Sequence, residues 1–218
     1  MKFKLMKRYL LLSIGAVFFS SCLGVSADIT IKADGSGKIA LEYRVSQALE
    51  SIGRLDGNEK MPAVPAGRID FERTVSRIPG LKLSRYSSKE IRSDSGSKDL
   101  VTKVTLDFKD TSALLAFLDS TGSRAAIVQE GQGVLLRLNL LDTSDGVSNP
   151  DLLSLLREVS NGYELGITLN LPKNAVLTTI PASIPPAKLV SGGKKVSFTM
   201  DMGELLSLKD GLTLEIRW

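Results

Sequence analysis

The run from Tyr163 to Leu171 constrains the fold more than any other stretch. Tyr163, Leu165, Ile167, Leu169 and Leu171 fall on one side of an extended chain, and Glu164, Gly166, Thr168 and Asn170 on the other. A period of two sustained over nine residues is the pattern of a strand with one face in a core. A helix would scatter the five apolar residues around its circumference. Pro172 has no N–H to give to a ladder, so it is expected to stop the strand.

The same alternation recurs between glycine-containing turns. Ile29 and Ile31, then Ile39, Leu41, Tyr43 and Val45, flank Asp34-Gly35-Ser36-Gly37 and predict a first hairpin. Leu81 to Arg92 and Leu100 to Lys109 predict a second, around the polar residues 93–99. Ala125 to Gln129 and Val134 to Leu140 predict a third, across Glu130-Gly131-Gln132-Gly133. Val196, Phe198 and Met200, then Leu212, Leu214, Ile216 and Trp218, read as closing strands.

Helical segments are expected at Gln47 to Ile52, at Arg68 to Ile78, and at Ser112 to Leu118 with Asp110 or Thr111 as cap. Another is expected from Asn149-Pro150-Asp151 to Gly162, and a turn or two within Gly203 to Leu208. Pro181, Pro185 and Pro186 mark an extended connector. Hairpins joined by short helices predict an α+β fold: a mostly antiparallel sheet of hairpins with four or five short helices. One such domain over residues 28–218 is expected, with a proline-rich connector near 172–186.

The first residues have a different character. Lys2, Lys4, Lys7 and Arg8 precede an uncharged, mostly apolar run from Tyr9 to Phe19, and Ser20 and Ser21 lead into Cys22. That is the layout of an export signal. Three processing routes fit it. Phe19-Ser20-Ser21-Cys22 resembles the lipobox of bacterial lipoproteins, with Phe where Leu is usual. The resemblance implies cleavage between Ser21 and Cys22 and lipidation of the Cys22 thiol, leaving residues 1–21 as the signal and 22–27 as a short tether. Alternatively, Val25-Ser26-Ala27 presents small residues for ordinary cleavage between Ala27 and Asp28, giving a signal of residues 1–27. The third route leaves the segment uncut, since Tyr9 to Ala27 is nineteen residues without a charge, near the minimum for a membrane span.

Composition narrows the chemistry. The chain has 28 Lys+Arg against 24 Asp+Glu, and Lys2, Lys4, Lys7 and Arg8 account for the whole excess, because no acid precedes Asp28. The basic balance therefore belongs to the export segment, and no nucleic-acid partner is expected. Histidine is absent. The commonest general base, the commonest zinc ligand and every His-dependent triad are absent with it. One cysteine excludes internal disulfides and thiolate clusters.

Two stretches resemble the LppM-like bacterial envelope lipoproteins. One is Asp28-Ile29-Thr30-Ile31-Lys32-Ala33-Asp34-Gly35-Ser36-Gly37 running into Leu41-Glu42-Tyr43. The other is Ile167-Thr168-Leu169-Asn170-Leu171-Pro172 followed by Lys195 to Met202 and a strand ending at Trp218. The resemblance implies an envelope-located mixed α/β domain and carries over no catalytic residue.

No catalytic residue, metal ligand or cofactor is nominated. Asp34-Gly35-Ser36-Gly37 lacks the Lys and the following helix of a phosphate loop, and Gly131-Gln132-Gly133 leads into a strand where a nucleotide site needs a helix. Asp142 and Asp145 read as a solvated loop. Ser87, Ser88 and Lys89 alternate faces, while Asp107 with Asp110, or Glu158 with Glu164, offer carboxylates that nothing in the sequence tunes. The surplus of apolar residues is more informative. Leu114, Leu115, Phe117 and Leu118, with Leu152 and Leu156, make wider faces than one packing stripe needs and are nominated as a ligand or partner surface. Burial of the same helices between sheet and neighbour is the plain alternative.

The expectation is a membrane-anchored envelope lipoprotein, held to the bilayer through Cys22, that binds a lipid or an envelope protein without catalysis. A soluble periplasmic or secreted structural or assembly protein is the alternative, followed by an envelope enzyme using carboxylates or Ser and Lys. Nothing in the sequence indicates an oligomeric state.

Overall fold

The computed structural model describes residues 23–46, 67–92, 98–119, 124–142, 154, 157, 158, 160, 162–184 and 187–218. The strands are β1 (Leu23–Ile31), β2 (Gly37–Ser46), β3 (Leu81–Arg92), β4 (Lys98–Phe108), β5 (Ala125–Glu130), β6 (Gly133–Leu141), β7 (Glu164–Ile180), β8 (Ala187–Val190), β9 (Gly193–Asp201) and β10 (Leu212–Arg217). Three helices have described bounds: α1 (Arg68–Val75), α2 (Thr111–Leu118) and α3 (Met202–Leu205). Ser154, Arg157, Glu158 and Ser160 are also helical, and Gly162 follows with φ of 82°, the left-handed closing residue expected there.

This corrects the expected α+β fold with four or five helices. Among the described residues the protein is mostly sheet, 62% strand against 16% helix, and the ten strands form one curled sheet. The difference has two sources. Residues expected in the signal or tether, Leu23 to Ala27, lie in β1, and Pro172 does not end β7. The helix expected at Gln47 to Ile52 lies outside the described residues.

β7 organises the sheet. Its first half, Leu165 to Asn170, pairs parallel with β1 on one edge and antiparallel with β9 on the other. Its second half, Val176 to Ile180, pairs antiparallel with β10. The register with β9 shifts between Asn170 and Ala175. Pro172 falls in that gap, where neither ladder asks for its missing N–H, so the strand changes partners instead of stopping.

The change of partners splits the sheet into two leaves that share β7. The larger runs β3-β4-β2-β1-β7-β9-β8 and the smaller β7-β10-β6-β5. Ile29, Ile39, Leu106, Leu169 and Phe198 from the larger leaf meet Leu136, Leu214 and Ile216 from the smaller, all at most 1% exposed. Asp110 caps α2 by accepting the Ala113 N–H at 2.9 Å, and α2 turns Leu114 and Phe117 into this core. α1 sets Phe71 between Tyr43 and Tyr86, with ring centroids 6.1 and 6.0 Å away.

Candidate functional site: a slot between the leaves

The leaves do not close completely where β1 and β2 face β5 and β6. Val25, Ala27 and Ile29 from β1, Ile39 and Leu41 from β2, and Leu165 and Ile167 from β7 form one wall. Ala125, Leu138 and Leu140 form the other, and Phe117 and Leu118 from α2 stand at the side. The space is about 50 Å³, and among the described residues Arg124 and Asn139 supply its polar lining. Each wall follows from strand alternation, which turns every second residue of β1, β2 and β7 toward the other leaf.

Backbone bonds fix the margin of the slot. The Asp119 carboxylate, 8% exposed, accepts the N–H groups of Arg124 and Ala125, the latter at 2.9 Å. Asn139 N–H donates to the Arg124 carbonyl at 2.7 Å. These bonds hold the start of β5 against the end of α2.

The nominated surface is divided by this arrangement. Leu114 is wholly in the core, Leu115 is half-buried, and Phe117 and Leu118 reach the slot. Leu152 and Leu156 lie outside the described residues, as do Ser21 and Cys22. Ala27 is buried in the slot wall, and Asp28 points to the opposite face, where it accepts the Asn170 side-chain N–H at 2.8 Å.

The carboxylates weighed as acids or bases hold neighbouring groups or face solvent. Asp107 accepts the Ser84 hydroxyl and lies 3.9 Å from Lys38, Asp110 is the cap of α2, and Glu158 and Glu164 are exposed. Asp34 sits in the β1–β2 turn, where the Ser36 hydroxyl and N–H, at 2.8 and 3.0 Å, hold its pKa below the ordinary value. Ser88 shares a hydrogen bond with Thr102 at 2.9 Å. Among the described residues no group of three or more metal-ligating side chains converges.

Two polar clusters escaped the sequence reading. Asp99, fully buried, accepts Arg44 Nε at 2.7 Å and the Tyr163 hydroxyl at 3.1 Å, and the Arg44 guanidinium lies 5.7 Å from the Tyr163 ring centroid. On the outer face of the smaller leaf, Glu215 receives Arg137 and Arg217, at 2.7 and 2.6 Å. Separations of 55 residues for Arg44 and Asp99 and 78 for Arg137 and Glu215 hide those pairings from the sequence; only Arg217, two residues from Glu215, is local.

The Glu215 cluster carries a pH dependence. Hydrogen bonds from Arg137, then from Arg217, hold its pKa below the ordinary 4.5. A depressed carboxylate contributes stability that is present above the unfolded pKa and lost as pH falls toward the folded one. Glu215→Gln is therefore expected to weaken the protein at pH 7 and to flatten the loss of stability below about pH 4.5. Urea midpoints measured from pH 7 to pH 3 check this, and parallel curves for the two proteins would contradict it.

The outer face of the larger leaf is polar. Two hollows of about 470 and 510 Å³ meet there at Ser26 and Glu42. Gly24, Ser26, Ala40 and Gly166 keep the floor low. Compared with protein-family models and with curated proteins, the chain matches none.

Proposed function

We propose that the chain is a lipid-anchored bacterial envelope protein that acts by binding, and that its slot receives the hydrocarbon part of a lipid. The observation that carries the anchor is the start of β1 at Leu23, next in sequence to Cys22. Cleavage ahead of Asp28 would remove Leu23 to Ala27, which pair with β2, and with them Val25 to Ala27, which also pair with β7. An uncut anchor meets a different obstacle. With Leu23 in the sheet, only the fourteen residues from Tyr9 to Cys22 remain uncharged and free to span. As a helix they reach about 21 Å, against a hydrocarbon thickness of about 30 Å. Cleavage between Ser21 and Cys22 leaves all of β1 in place, and the resemblance to LppM-like lipoproteins agrees with it.

The binding reading rests on the slot. Apart from Arg124 and Asn139 its described lining is apolar, it includes Phe117 and Leu118, and among the described residues the two leaves share ladder bonds only through β7. The opposite margin, β5 and α2 against β1 and β2, is side-chain contact, so parting the leaves there breaks no ladder. At about 50 Å³ the slot is smaller than the roughly 300 Å³ of ordinary ligand sites, and a hydrocarbon chain enters by spreading the leaves about β7. Ala125→Phe places a ring in that space. It is expected to weaken uptake of a fluorescent sixteen-carbon fatty acid at least tenfold while the far-ultraviolet circular dichroism stays unchanged; equal uptake by the two folded proteins would contradict the reading.

A further inference from the structure

We infer that the end of the larger leaf where β1 begins rests directly on the bilayer, with Arg92, Lys98 and Tyr163 at headgroup level. This rests on the lipid-anchor reading and adds to it an orientation. An anchored domain usually has a linker, whose length decides how freely it tumbles. Here no residue separates Cys22 from β1, and one residue spans at most about 3.6 Å. The strand end cannot leave the membrane surface.

Pairing then decides what else lies at that end. Leu23 is opposite Val45, so β2 finishes there, and Val25 is beside Leu165 in a parallel ladder, so β7 starts there. Asp201 opposite Glu164 brings the end of β9, and Val45 opposite Leu100 with Arg92 opposite Lys98 brings the start of β4 and the end of β3. Tyr163, half-buried with its hydroxyl on Asp99, is the residue type favoured at a membrane–water interface. Lys32, in the turn after β1, lies about 30 Å away at 3.3 Å per residue.

Among the described residues at this end, Arg44 is paired with Asp99 and Lys98 lies 3.8 Å from Glu90. Docking is set by the absent linker, so it is insensitive to salt and to anionic lipid. The orientation also serves the slot. Val25, the first residue of its wall, is three residues from Cys22 and so within about 10 Å of the headgroups.

The test uses the full-length lipidated protein in phosphatidylcholine vesicles containing a nitroxide-headgroup lipid. Arg92→Cys and Lys32→Cys each carry a thiol-reactive fluorophore, the Cys22 sulfur being blocked by its lipid. Several-fold quenching is expected at residue 92 and almost none at residue 32, with no change between 0.05 and 0.5 M salt. A twenty-residue Gly/Ser insert between Cys22 and Leu23 adds a root-mean-square reach of about 25 Å and is expected to remove most of the quenching at residue 92 while the protein stays on the vesicles. Equal quenching at the two sites, or quenching at residue 92 that survives the insert, would overturn the orientation and leave the anchor standing. Failure of the parent protein to float with vesicles would overturn both.

Discussion

A chain that begins at Asp28 is expected not to fold, whereas one that begins at Leu23 is expected to fold as the full domain does. β1 is an internal strand, paired with β2 from Leu23 to Ile31 and with β7 from Val25 to Thr30. Removing Leu23 to Ala27 takes two buried side chains, Val25 and Ala27, each 7% exposed, out of the core. Val25 alone is worth about 1.5–3 kcal/mol. Several ladder hydrogen bonds on two edges go as well, at about 1 kcal/mol each, and the facing edges of β2 and β7 are left unpaired. The sum approaches the whole stability of an ordinary domain, about 5–15 kcal/mol. Circular dichroism and urea unfolding of the two chains, both made without the export segment, check this. Superimposable unfolding curves would show that the first five residues of β1 are dispensable.

The second large effect is expected from a single methyl group. Gly37 opens β2, opposite Ile31 on one side and Phe108 on the other. A Cβ built there falls inside the van der Waals radii of the Thr30 carbonyl oxygen and of the Phe108 ring. Neither can yield cheaply, because Thr30 belongs to the β1 ladders and Phe108 is 3% exposed in the core. Gly37→Ala is expected to destabilise by about 3 kcal/mol or more, at the severe end for overpacking. Gly166→Ala is the control. Its Cβ would meet Ser26 Oγ at 3.7 Å and the Val25 carbonyl oxygen at 3.9 Å, ordinary contacts, and the change is expected to stay within about 0.5 kcal/mol. Comparable urea midpoints for the two variants would contradict this account of the first hairpin.

The hairpins were legible because their signals are local. Alternation located β2, β3, β4, β6, β9 and β10, and Asp110 was readable as a cap because Ser112 to Leu118 follows it directly. What decides the architecture is not local. The parallel pairing of Val25 with Leu165 joins residues far apart in the chain, and no turn sits between them to announce it. Pro172 misled for a related reason: a proline ends a strand whose ladder needs its N–H, and whether one does depends on partners that the sequence does not name. Val25-Ser26-Ala27 carried two meanings at once, a cleavage pattern and alternating strand residues, and only the neighbours on each side separate them. The apolar faces of the helices were visible, yet that Phe117 and Leu118 would meet Val25 and Leu138 across a slot depended on the split at β7. The Asp99 and Glu215 clusters were invisible for the same reason.

The most direct measurement of the central claim is the intact mass of the protein extracted from membranes of the cells that make it. The account predicts a chain starting at Cys22 with the added mass of a diacylglycerol and any further acyl group. An unmodified chain starting at Asp28, or one still carrying Met1, would contradict it.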